Sequence, residues 1–260
     1  MKYKLLLLDL DGVVWRGKEI LEDNVKAIRL LEDKVKIVYL TNNSTRSRSE
    51  YVERIRSCGL RVEINDVLNS GYIAAQYIIS RGGGTAFVVG EPGLTEELVK
   101  AGIEVRVDAR RVDYVVVGMD RFFTYNKLAK ASHYIRDGAV FIATNTDSTF
   151  PIEGDVSPGA GSLVAAVSVA SGHKPDFIAG KPNSWIIELI GEKHPGIKKE
   201  EILVVGDRLD TDIALGVKAG VDTLLVLTGV VSRKDVAGAK YKPTYIENTL
   251  LDFVRKTGLL

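Results

Sequence analysis

The stretch "KLLLLDLDGVVW", Lys4 to Trp15, constrains the fold more than any other segment of this chain. Four consecutive leucines make a short apolar run of the kind a strand buried on both faces requires, and the run ends in two aspartates with one residue between them. In an extended strand end, residues two apart point the same way, so Asp9 and Asp11 are expected on one side and Leu10 on the other. Close carboxylates repel, and partial burial raises the cost. Something near them must offset that repulsion. Taken alone, Asp-Gly is also an ordinary turn dipeptide, and paired acids occur in solvated loops, so this stretch by itself leaves both readings open.

The same signature recurs in "VKIVYLTNNS", "FIAGKP" and "EILVVGDRLDTD": an apolar run rich in Val, Ile and Leu, closed by polar or charged residues. Between the runs lie stretches of helical period, Asn24 to Leu31, Arg48 to Ser57, Ser184 to Ile190, and Thr211 to Lys218 closed by Gly220. This alternation predicts an α/β fold, a Rossmann-like parallel sheet with helices on both faces. In such sheets ligands bind in the crevice outside the carboxyl ends of the strands. Four polar tails at four strand ends can then meet in one site.

A second group of runs, "TAFVVG", "VDYVVVGMD" and "AVFIATNTD", alternates with helical stretches at Thr95 to Lys100 and Tyr125 to Ile135. It follows Gly82 to Gly84 and ends near the Gly- and Pro-containing "PIEGDVSPGAGS". We read residues 71–175 as a second α/β unit inserted into a core made of 1–70 and 176–260, the alternative being one continuous large sheet. With 260 residues, a net charge of +1 and 45% hydrophobic residues, the chain has core enough for either. Near-neutral charge without a long basic run excludes a nucleic-acid footprint and directs attention to small-molecule chemistry. Cys58, the single cysteine, allows neither a disulfide framework nor a thiolate metal site within one chain, which fits a reducing cytoplasm. The leucine run is too short for a secretory apolar region, and no run is long enough to span a membrane.

The chemistry lies in the polar tails. Asp207 ends an apolar run in "GDRLDTD" and Asp212 follows in the first turns of a helix, so acids recur at a second strand end. Converging carboxylates suit a hard divalent cation, Mg2+ before zinc. For Asp210 we prefer the simpler role of complementing a helix dipole. "TNNS" offers the Thr41 hydroxyl, the Asn42 amide and backbone N–H groups through Asn43, all suited to phosphate oxygens, and "GKP" supplies Lys181, a point charge for a phosphate or a developing anion. These are the parts of a phosphoryl-transfer site, in which a carboxylate can itself attack phosphorus.

These four motifs, "DLDGVVW", "TNNS", "GKP" and "GDRLDTDI" in that order, resemble those of the haloacid dehalogenase superfamily of phosphohydrolases across essentially the whole chain. The insert between the second and third resembles the cap of the large-capped NagD-like or 4-nitrophenylphosphatase branch. The resemblance implies a Mg2+-dependent phosphatase of small phosphate monoesters, with Asp9 as nucleophile and Asp11 as general acid and base. Thr41 and Lys181 would hold the phosphoryl group with Asn42 assisting, and Asp9, the Asp11 carbonyl, Asp207 and Asp212 would bind the metal, the last directly or through water. The inserted α/β cap would act as a lid with Asn145 and Asp147 of "TNTDSTFP" as substrate contacts, although both residues also suit a loop turned by Asx hydrogen bonds. A phosphotransferase, a phosphate sensor with little turnover and a phosphoacceptor signalling domain are the competing readings. The oligomeric state stays open, a homodimer being compatible with a substantial cap. His133, His173 and His194 lack ligand spacing, "GAGS" lacks the third glycine of a dinucleotide fingerprint, and Cys58 and Trp15 are assigned to packing.

Overall fold

The structure is a computed structural model and describes residues 2–152 and 155–258. Residue contacts divide the chain into two units, Met1–Thr41, Val52–Leu68 and Lys181–Leu260 forming one and Asn42–Tyr51 and Asn69–Gly180 the other. None of the described helices is long and apolar enough to cross a membrane.

The sheet of the first unit has the strand order Tyr245–Glu247, Asp222–Val226, Ile202–Gly206, Leu5–Asp9, Lys36–Thr41, Val67–Asn69. From the Leu5–Asp9 strand the chain builds outward on one side, then returns and builds outward on the other. The order therefore reverses between Leu5–Asp9 and Ile202–Gly206, the switch point at which open α/β sheets leave a crevice. Both neighbours of Leu5–Asp9 run parallel to it, with Leu8 opposite Val205 on one side and Tyr39 on the other. Parallel register brings the carboxyl ends of all three strands to the same edge. Leu5, Leu6, Leu7 and Leu8 are each at most 2% exposed, so both faces of the run are covered. At about 1.5–3 kcal/mol for each fully buried leucine, this strand is anchored firmly enough to carry charge at its end.

The helix expected from Asn24 begins at Glu22 and runs to Leu31, its inner stripe made of Asn24, Val25, Ala27, Ile28 and Leu31. The expected helix Thr211 to Lys218 is different in kind. Leu209–Ile213 forms a wider π-helical turn that passes into Ala214–Ala219, closed by Gly220 in the left-handed region at φ +72°.

The second unit has its own five-stranded sheet, in the order Phe177–Ile178, Val140–Ala143, Tyr114–Val117, Thr85–Val89, Glu104–Val105, every pair parallel. Phe87, Val115 and Phe141 from the strands pack with Tyr134, Ile135, Val164 and Val167 from the helices Tyr125–Arg136 and Ala160–Ser171. The run "FIAGKP", expected as a core strand, belongs here. Only Phe177–Ile178 is strand, and Ala179 and Gly180 continue the pairing by donating to the carbonyls of Ala143 and Thr144 at 2.8 and 2.7 Å. Lys181 thus follows the end of a second-unit strand and is itself counted with the first unit. "PIEGDVSPGAGS" makes an antiparallel pair, Thr149–Ile152 with Asp155–Pro158, and its Glu153 and Gly154 lie outside the described residues.

Candidate active site

Asp9 is the last residue of its strand, Asp207 follows the last residue of the adjacent one, and Asp212 comes from the π-helical turn. All three are buried, and one carboxylate oxygen from each lies within 4.8 Å of the others. The wide turn returns the Asp212 side chain to the strand end: a Cβ added to Gly206 would come 2.1 Å from Asp212 Cγ, so only glycine fits there. Lys181 Nζ, 4% exposed, sits 2.5 Å from Asp9 Oδ1 and 2.6 Å from Asp212 Oδ1. Three carboxylates face one ammonium, and fully ionised they leave two negative charges uncompensated.

The electrostatics follow from that imbalance. Burial pushes the Asp9 carboxyl well above its ordinary range; Lys181 pulls it back, and the charges of Asp212, Asp207 and Asp11 push it further up. Asp207 is pushed up to about 6, first by burial and then by Asp212, against a hydrogen bond from the Val230 N–H. Burial opposes the charge on Lys181, but Asp212 and Asp9 outweigh it and hold the ammonium protonated. Asp207 Oδ2 accepts from Val230 N at 2.9 Å, whereas its Oδ1 is buried without a hydrogen-bond partner. A buried, orphaned carboxylate oxygen beside two other carboxylates is an all-oxygen donor set whose negative charge one ammonium only partly offsets. That fits a hard divalent cation.

Asp11 lies just past the end of its strand. Strand pairing stops at Asp9, and the N–H groups of Val14 and Trp15 turn back onto the Leu10 carbonyl at 2.8 and 3.2 Å. Asp11 is exposed, stands outside the group of three carboxylates, and accepts a hydrogen bond from Trp15 Nε1 at 2.9 Å. Thr41, 3% exposed, ends the other neighbouring strand, one residue past the Asp9–Leu40 pair. Asp210 is paired with Arg208 through two bonds of 3.1 and 2.8 Å and is absent from the carboxylate group. Among the described residues no histidine joins a candidate metal group.

The rest of "TNNS" is counted with the second unit. There Asn42 Nδ2 donates to Asp147 at 3.0 Å, Asn145 Nδ2 donates to the Asn42 carbonyl at 2.8 Å, and the Asp147 N–H closes an Asx turn on Asn145 Oδ1 at 3.1 Å. The exposed Asn43 spends its carbonyl oxygen on the N–H and hydroxyl of Thr45. Asn42, Asn145 and Asp147 are thus brought together, in bonds that shape their own loops.

Several supports of the first unit escaped the sequence reading. Thr228 donates to the Gly12 carbonyl at 2.6 Å, and Asn24, fully buried, donates to the carbonyl of Val13 and the hydroxyl of Thr228. Asn24 Oδ1 accepts from Leu250 N at 2.7 Å, fastening the last helix to the Asp9–Asp11 loop. "DTLLVLTGV" carries the same apolar-run-then-polar-tail signature as the recognised motifs and pointed to Thr228 and Gly229; nothing local pointed to Asn24.

The profile of the haloacid dehalogenase-like hydrolase family matches residues 6–104, and a HAD-hydrolase-like profile matches 178–253. An acid sugar phosphatase of Staphylococcus aureus is 38% identical over 246 residues, 94% of each chain. The crystal structure of a 4-nitrophenylphosphatase from Thermotoga maritima superposes with a TM-score of 0.91 at 36% identity, covering 98% of this chain and 97% of that one. A glycerol phosphate phosphatase from Mycobacterium tuberculosis, solved in complex with magnesium, gives a TM-score of 0.87 at 34% identity, covering 96% of this chain and 75% of the other.

Proposed function

The chain belongs to the haloacid dehalogenase superfamily, in its NagD-like branch, and is a phosphatase of phosphate monoesters; from that premise we propose that it works through a phosphoaspartate on Asp9 with Mg2+ as its cofactor. The observation that carries this reading is the charge imbalance at one strand edge, where buried Asp9, Asp207 and Asp212 cluster, the Lys181 ammonium pairs with Asp9 and Asp212, and Asp207 Oδ1 has no hydrogen-bond partner.

Asp9, Asp207 and Asp212, with the Asp11 carbonyl, are the residues that would hold the cation. When bound, Mg2+ supplies positive charge that keeps the carboxylates ionised and offsets the anionic charge of the phosphoryl group. An oxygen of Asp9 attacks phosphorus while the bond from phosphorus to the ester oxygen breaks, and the departing oxygen takes a proton from the Asp11 carboxyl. The Asp11 carboxylate then takes a proton from water as its oxygen attacks the acyl phosphate, releasing inorganic phosphate and regenerating Asp9. Lys181 holds Asp9 in place through its ammonium and, with the Thr41 hydroxyl, faces the transferred phosphoryl oxygens. The substrates we assign are small monoesters of sugars, of other aliphatic alcohols and of 4-nitrophenol, in keeping with the names of the relatives.

Hydrolysis of 4-nitrophenyl phosphate tests the reading. It should require Mg2+, stop with EDTA, and fall by about a thousandfold or more in Asp9→Asn, which keeps the shape and removes the nucleophile. Full activity in Asp9→Asn would refute the covalent route.

A further inference from the structure

We propose that the second unit carries a binding site of its own, for an uncharged planar ligand that bears hydroxyl groups, the chemistry of a nucleoside. Its sheet has a switch point as the first unit's sheet does. From Thr85–Val89 the chain goes to Glu104–Val105 on one side and then returns to Tyr114–Val117 on the other, so the strand order reverses between Thr85–Val89 and Tyr114–Val117. These two strands are parallel, with Val89 opposite Val117, and their carboxyl ends meet at one edge. A crevice is expected there. The lining of a cavity of about 650 Å³, a size that suits a small ligand, includes Gly90 and Glu91 after the first of these strands and Asp120 and Phe122 after the second.

The runs "TAFVVG" and "VDYVVVGMD" bring Glu91 and Asp120 to this edge, much as the runs of the first unit bring Asp9 and Asp207 to theirs. Both acids are buried, at 7% and 5% exposure. The two edges differ in charge. Arg121 donates to both oxygens of Glu91 at 2.7 and 2.6 Å, Lys127 donates to Asp120 at 2.6 Å, and Lys100 pairs with Glu96, the third carboxylate of the lining. Each acid has its own cation, and among the described residues none of the three joins a candidate metal group. A cavity balanced in this way offers no net charge to a metal ion or a phosphate, which points to an uncharged ligand. Hydrogen-bonding capacity remains. Asp120 accepts from the Phe122 N–H at 2.9 Å and from Lys127, two of about four acceptor positions on a carboxylate, and the Lys127 ammonium spends only one of its N–H groups there. Thr95 adds a hydroxyl to the lining. Acceptor, donor and hydroxyl in one crevice suit the neighbouring hydroxyl groups of a sugar. Phe122, 75% exposed, leaves an aromatic ring in water at the same cavity, a surface on which a heterocyclic base stacks.

Titration of the full chain with adenosine, followed through its amide NMR signals, tests the proposal. EDTA is present throughout, so that adenosine monophosphate can be compared without being hydrolysed. Adenosine should shift the signals of Gly90, Thr95 and Phe122 together, with one dissociation constant of about 10 µM to 1 mM, the range for a ligand of its size. Phe122→Ser removes the ring from an exposed position that the fold does not depend on, and should weaken binding about tenfold. Adenosine monophosphate should bind at these residues more weakly than adenosine, because its phosphate meets three carboxylates already paired. The absence of a saturable shift at these residues, or shifts confined to the surroundings of Asp9, would overturn the proposal. Tighter binding of the monophosphate would do so too, by making the cavity an anion site. A change in the sedimentation coefficient of the ligand-free protein on Phe122→Ser would mean that this face meets a second copy of the chain, and the ligand site would fall with it.

Discussion

Asp207 is held by contacts that leave no room for one more carbon. A Cβ on Gly229 would lie 1.8 Å from its Oδ2, and one on Gly12 would lie 2.5 Å from its Cγ. Gly229 is not in the left-handed region, so Gly229→Ala strains no backbone angle and acts only by displacing the carboxylate. We expect this variant to fold and to need about 10–100 times more Mg2+ for half-maximal hydrolysis of 4-nitrophenyl phosphate, the cost usual for disturbing the supports of a metal ligand. An unchanged Mg2+ titration would show that Asp207 is not a ligand. Asp9 supplies the converse case. Asp9→Asn removes one of the crowded negative charges while Asp212 still pairs with Lys181. The metal-free variant should be more stable than the wild type by on the order of 1 kcal/mol, seen as a higher melting temperature, while activity is lost. Asp9, Lys181 and Asp207 were singled out in the sequence because each closes an apolar run, where a charge needs a reason, and Asp212 because it follows Asp207 within a few residues. The backbone turn that follows Asp9 was not, because nothing local marks where the N–H groups of Val14 and Trp15 fold back onto the Leu10 carbonyl.

The last helix, Leu250–Thr257, shows how an element is tied to the site. Its first turn is capped by Thr249, which accepts from Asp252 N at 3.1 Å, and its Leu250 N–H is taken by buried Asn24. Asn24→Ala would leave Leu250 N and the Val13 carbonyl without this partner in a buried place. Such a loss costs about 1–3 kcal/mol. We expect a lower denaturation midpoint together with reduced kcat, since the Val13 carbonyl belongs to the loop that carries Asp11; Thr249→Ala, which removes only the cap, should cost about 1 kcal/mol and spare kcat. A kcat in Asn24→Ala equal to that of Thr249→Ala would refute the link from helix to loop. Elements with a polar face and an apolar stripe, such as Tyr125–Arg136, were readable to within a residue or so. Ala160–Ser171 was not, because Ala, Val and Leu occur around its whole circumference and no 3.6-residue period stands out. "FIAGKP" misled for a different reason. A three-residue apolar run says that a segment is buried, but not in which sheet, and its partner Val140–Ala143 is more than thirty residues away.

For the chain as a whole, the alternation of apolar runs and helical stretches gave the α/β class, and the order of the motifs gave the family; neither could show that the strand order reverses beside Asp9, since that depends on pairing between Leu5–Asp9 and Ile202–Gly206 across nearly the full chain. That pairing also sets how stability should respond to pH. Asp9 and Asp207 have folded-state pKa values raised by burial, the latter to about 6. A carboxyl raised in the folded state contributes its stability below the unfolded value of about 4 and loses it as pH rises through the folded value. Other carboxylates work in the opposite sense. Glu91 is lowered by its bonds from Arg121, Asp113 by the Thr85 N–H and hydroxyl, and Asp222 by Lys2 and Tyr3 against the effect of burial. Their contribution is present above about pH 4 and lost as pH falls through their lowered values. The metal-free protein should therefore lose stability on both sides, with the loss on the neutral side concentrated between about pH 4 and 7. On the proposed reading Mg2+ would bind only the ionised carboxylates, so it should remove the neutral-side loss and leave the acid side alone. Added at about a hundred times its dissociation constant, it stabilises by about 2.7 kcal/mol where the site is ionised and by much less where protons compete. Melting curves with Mg2+ or EDTA at pH 5, 6, 7 and 8 should then show a Mg2+-induced shift that is small at pH 5, grows through pH 6 to 7 and levels off. A shift of equal size at pH 5 and pH 8 would mean that the cation is not held by Asp9 and Asp207.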